Sequence, residues 1–120
     1  MPDDYKPTVC VDLDGVLNLY RGWKGEDHWP GPRPGAKAFI EALLEDGYEV
    51  VVFTTRSMMR TAMWLYTHQF PWEQLEVSNV KPPAVAYIDD RAILFRGNFP
   101  AALQQLRHFK AHWEPEDDRP

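Results

Sequence analysis

The sequence predicts an α/β fold with three layers, a parallel sheet carrying helices on both faces, and three observations predict it. Apolar, strand-like runs alternate with stretches of helical spacing, the runs end in polar residues, and 120 residues suffice for one domain and not two. Strands joined through helices cross over right-handedly and pair in parallel. Ligands bind such sheets beyond the carboxyl ends of the strands.

The elements follow in order. Thr8 to Leu13 is rich in Val and apolar on both faces until its acids, as a buried parallel strand is. It closes at Asp14-Gly15. After the Pro-Gly-rich stretch 30–35, Ala36, Phe39, Ile40, Leu43 and Leu44 repeat at helical spacing, and Gly47 stops the helix. Tyr48 to Phe53 is the second strand and ends in Thr54-Thr55-Arg56. Met59, Ala62, Met63 and Tyr66 then mark the packing stripe of a second helix. Short strands are expected near Leu75 to Val77 and over Ala84 to Ile88, the latter ending in Asp89-Asp90. Leu103, Leu106 and Phe109 signal a last helix, on whose surface His108 and His112 lie. The domain is expected to span 1–113, with 114–120 a flexible acidic tail.

The formal charge is −5, from 13 Lys and Arg against 18 Asp and Glu, which excludes a broad basic nucleic-acid grip. Four acids fall in the tail and four in the pairs Asp12/Asp14 and Asp89/Asp90. Without those, 10 acids face 13 bases, so a small anionic substrate is compatible with the surface. The single cysteine, Cys10, forms no internal disulfide and reads as core. No secretory leader pattern and no membrane-spanning run is seen, so a cytoplasmic protein is expected.

The polar punctuation of three segments converges on one crevice. Asp12 and Asp14, two apart in an extended chain, face the same way. Adding Asp89 and Asp90 crowds four carboxylates together, which requires protons or a cation. Magnesium suits this set, since it binds a few carboxylates and keeps positions for water and phosphate oxygen. Thr54, Lys81 and the backbone amides near Gly15 offer the groups a phosphate needs. A carboxylate attacking phosphorus, with a neighbouring carboxyl as acid and then base, divides phosphoester hydrolysis into two easier steps.

In these residues the chain resembles the haloacid dehalogenase superfamily of magnesium-dependent phosphatases. The resemblance rests on Val11-Asp12-Leu13-Asp14-Gly15-Val16, Val52-Phe53-Thr54-Thr55-Arg56, Lys81-Pro82 and Tyr87-Ile88-Asp89-Asp90-Arg91, in the family's order across residues 11–91. It implies a Rossmann-like fold. It also implies Asp12 as nucleophile and metal ligand, and Asp14 as general acid and base and as a ligand through its carbonyl. Thr54 and Lys81 would hold the phosphoryl group, and Asp89 and Asp90 the magnesium, with Asp90 the direct ligand. The second acid, Asp14, argues for phosphatase over dehalogenase chemistry. The spacings leave no room for a cap domain, so the chain is similar to small capless phage and bacterial hydrolases and to the phosphatase part of phage polynucleotide kinases.

Residues 19–33 are expected to form a hairpin or loop over the crevice, their aromatics available to stack on a base or sugar. Thr55, Arg56 and Arg91, beside the motifs, are further candidates for substrate contact. A small phosphorylated substrate is the first expectation. Two other readings stand beside it: a fold that keeps its metal site as a binding module, and a partner-assisted phosphatase of nucleic-acid 3′ ends. A calcium loop fails, because Val16 and Leu17 stand where oxygen and Gly are needed. A cysteine phosphatase fails because Val16 stands where it requires Arg. A zinc-protease pair at His108 and His112 lacks the Glu, with Phe109 in its place.

Overall fold

The computed structural model describes residues 5–115; of the expected tail, 116–120 lie outside the described residues. The chain forms β1 (Thr8–Asp12), α1 (Ala36–Glu45), β2 (Glu49–Phe53), α2 (Met58–Thr67), β3 (Leu75–Ser78), β4 (Ala86–Ile88) and α3 (Phe99–Arg107). It is an α/β fold whose four strands are all parallel, in the order β3-β2-β1-β4. The chain winds outward from β1 to β3 and then returns to the far side of β1. The order therefore reverses between β1 and β4, which opens a crevice at their carboxyl ends.

The register explains the core. Val9 pairs with Val50 and Val11 with Val52, so these four valines share one face, continued by Leu75 and Val77 of β3 and Ile88 of β4. Ala36 and Ile40 of α1 and Trp64 and Leu65 of α2 join the same cluster. Burying each large aliphatic chain contributes about 1.5–3 kcal/mol. Gly47, at φ +92°, ends α1, and the Tyr48 N–H reaches back to the Leu43 carbonyl at 3.1 Å. Ser57 caps α2 through its hydroxyl, which accepts from the Arg60 N–H at 3.2 Å.

Two expectations are corrected. The stripe Met59, Ala62, Met63, Tyr66 does not face the core: Met59 is 74% and Met63 60% exposed, and Thr61, Trp64 and Leu65 are buried instead. Thr61 goes inward cheaply because its hydroxyl donates to the Ser57 carbonyl at 2.8 Å. The last helix stops at Arg107, which leaves Phe109 and His112 beyond it, and none of its residues is buried. A direct check of the α2 face follows. Leu65→Ala is expected to cost about 2–4 kcal/mol in denaturant unfolding, and Met63→Ala no more than about 0.5 kcal/mol. Equal costs would refute this assignment.

Residues 19–31 leave and rejoin the domain at a small antiparallel bridge, Asn18 with Pro32. The Leu19 N–H donates to the Gly31 carbonyl at 2.9 Å and the Arg33 N–H to the Leu17 carbonyl at 2.8 Å. The excursion is thus a loop closed at its base, as expected for 19–33.

Candidate functional site

The acids come together where the strand order reverses. Asp12 ends β1, and Asp89 and Asp90 directly follow β4, its parallel neighbour. One carboxylate oxygen from each of Asp12, Asp89 and Asp90 lies within 4.8 Å of the others. The same crevice, about 270 Å³, is lined by Asp14, Thr54, Thr55 and Arg91, with Tyr20, Trp23 and Phe53 as its apolar walls.

The electrostatics follow from this crowding. Burial, and then the charges of Asp89 and Asp90, push the Asp12 carboxyl from 3.8 up to about 8, with Lys81 pulling the other way. Burial also works against the Asp89 charge, but bonds from Lys81 and the Arg91 N–H outweigh it and hold that carboxyl below its ordinary value. The Lys81 ammonium donates to Asp89 Oδ2 at 2.5 Å, and this bond raises its own pKa. It also sits 5.3 Å from the centre of the Phe53 ring. Burial raises the Cys10 thiol too, so the chain's one thiol is held protonated in the core.

Asp14 lines the crevice, but its carboxylate lies outside the three-acid cluster. Both its oxygens accept from Arg56 Nε, at 3.1 and 3.0 Å, and Oδ1 also accepts from the Asn18 amide at 2.8 Å. Two acids at alternate positions have thus parted, Asp12 to the other carboxylates and Asp14 to a guanidinium. Thr54 is buried, and its hydroxyl oxygen accepts from the Arg56 N–H at 3.0 Å, leaving its own proton to donate. The Gly15 N–H is already given to Asn18 Oδ1 at 3.1 Å, so this amide serves the turn.

Four residues escaped the sequence reading. Asn18, fully buried, ties Asp14, Gly15 and Tyr20 together; a lone amide inside Val16-Leu17-Asn18-Leu19 was its signal. Asn79 donates to the carbonyls of Thr54 and Arg56 and pins the loop after β2. His112 and Trp113 return to the crevice from the end of the chain. A carbonyl cannot donate, so His112 donates from Nε2 to the Gly15 carbonyl, at 2.7 Å. The Trp113 indole N–H donates to Asp90 Oδ2, its ring meets Tyr20 edge to face at 5.0 Å, and the Arg91 guanidinium lies 4.9 Å over it.

Three carboxylate oxygens at this separation, with the Asp12 carboxyl raised chiefly by burial and then by the charges of Asp89 and Asp90, form a donor set that suits a hard divalent cation. Both Asp89 oxygens accept bonds from within the chain, and Asp90 Oδ2 accepts from the Trp113 indole. No family model, curated protein or solved structure matches the chain.

Proposed function

We propose that the chain is a magnesium-dependent phosphohydrolase of the haloacid dehalogenase type, capless and three-layered, working through an aspartyl-phosphate on Asp12. The observation that carries this reading is the meeting of Asp12, Asp89 and Asp90 within 4.8 Å at the reversal of strand order. Lys81 and Thr54 beside them supply positive charge and a donor for phosphate oxygens.

Asp12, Asp89 and Asp90 would hold the cation. Magnesium, when bound there, supplies the positive charge that lets Asp12 ionise and that offsets the substrate's charge. The Asp12 carboxylate then attacks phosphorus, and the ester oxygen leaves with the proton that Asp14 carries in its acid form, which the second step restores. In the second step Asp14 takes a proton from water, whose oxygen attacks the same phosphorus; phosphate leaves and Asp12 is restored. Arg56 fixes the orientation of the Asp14 carboxylate through Nε.

The test is phosphate release from 4-nitrophenyl phosphate and from a 3′-phosphorylated oligonucleotide, with magnesium and with a chelator. Release that requires magnesium is expected. Folded protein that releases nothing from either substrate would leave a binding module as the better account.

A further inference from the structure

Beside the acid crevice, and sharing Trp23 and Thr55 with it, lies a second cavity of about 180 Å³. Sites for whole small molecules run to roughly 300–1,000 Å³, so this one has room for a single group. Arg56, 6% exposed, is among the residues lining it. The guanidinium carbon lies 5.0 Å over the Trp23 ring and 4.7 Å over the Trp29 ring, and both indoles line the cavity. Arg60 approaches Trp29 from the next turn, at 5.4 Å.

The cation of Arg56 is only partly used. Nε serves Asp14, but Nη1 is buried with no hydrogen-bond partner among the described residues. A buried donor left unpaired is costly, the more so when charged, and fixed arginine forks match oxyanions. The start of α2 adds to this. Ser57 caps the Arg60 N–H, while the Met58 and Met59 N–H groups ahead of it have no partner within the helix. Glu26 is the one acid in the lining, against two guanidiniums, and Arg60 also meets Asp27 at 3.2 Å on the open surface.

We infer that this cavity is a subsite for a second phosphate, so that substrates carry two phosphates, one reaching Asp12 and the other held by Arg56, Arg60 and the start of α2. The substrate class rests on the phosphohydrolase reading, whereas the anion site stands on its own residues. Two sources present this chemistry: a small bisphosphorylated metabolite, and a 3′-phosphorylated nucleic-acid end with its neighbouring phosphodiester.

Inorganic phosphate titrated into the whole chain in chelator tests it, because uncompensated carboxylates disfavour anions in the acid crevice, and the Arg60 variant assigns the binding to the cavity. Saturable binding, read by calorimetry and by indole fluorescence, is expected, with Arg60→Ala weakening it about tenfold as a charge-assisted contact is lost. Arg60 is exposed, so this variant folds. Competition against phosphate by 1,3-propanediol bisphosphate and by a 3′-phosphorylated dinucleotide then identifies the source, by whichever binds tighter. Absence of binding, binding indifferent to Arg60→Ala, or failure of both competitors overturns the subsite. Magnesium-dependent release from 4-nitrophenyl phosphate persisting in that case leaves the phosphohydrolase reading intact.

Discussion

Asp12→Asn is expected to lower magnesium-dependent phosphate release at least about 10³-fold while leaving the chain folded, because an amide lacks the charge to attack phosphorus. The same substitution is expected to stabilise the chain in chelator at pH 8. The Asp12 carboxyl titrates near 8 in the folded chain against 3.8 ordinarily, chiefly through burial and then through Asp89 and Asp90. Between those values the folded state binds more protons than the unfolded state, so stability is full below pH 4 as far as this group is concerned. It is lost as pH climbs towards 8. Melting curves in chelator should therefore fall across that window for the natural chain and flatten for Asp12→Asn. Each kcal/mol is worth roughly 3–6 °C in a domain of this size. Magnesium should restore the natural chain most at pH 8 and the variant little. A variant that melts below the natural chain at pH 8 in chelator, or that still turns over substrate, contradicts the assigned role.

The strands and the acids at their ends were legible because both signals are local. Val9 to Val11 and Val50 to Val52 are β-branched or small runs that only a buried strand accommodates, and a carboxylate closing such a run can hardly be core. The inward face of α2 was not legible. Met59, Met63 and Tyr66 form one apolar row and Trp64 and Leu65 another, and the choice between them depends on Thr61, whose hydroxyl is satisfied within its own helix. Periodicity does not register that compensation.

The site's second layer was hidden for another reason. Arg56 lies 42 positions from Asp14, Trp113 lies 23 from Asp90, and His112 lies 97 from Gly15. No spacing rule connects residues so far apart; only the reversal of strand order and the return of the chain end bring them together. The reading of Asp12 and Asp14 as acids sharing one face was right about the crevice they line. It missed that a distant guanidinium would turn one carboxylate aside.

Gly15→Ala is expected to damage stability and turnover together, by two separable causes. Gly15 sits at φ +85°, where an L side chain is strained by about 1–3 kcal/mol. A Cβ there would also run into the Asp90 carboxylate and the Trp113 indole nitrogen, adding about 1–3 kcal/mol of overpacking. The sum, roughly 2–6 kcal/mol, should appear in denaturant unfolding. Because the group displaced is Asp90, the magnesium concentration needed for half-maximal release should rise by at least about tenfold, as ligand misplacement does at other metal sites. Trp113→Ala in the Gly15→Ala background separates the causes. With the indole gone, Asp90 can swing clear of the new methyl, so part of the overpacking should be relieved while the backbone strain remains. A double variant no more stable than the sum of its single changes would mean that the Gly15 effect is backbone strain alone, and that Trp113 does not press Asp90 against the turn.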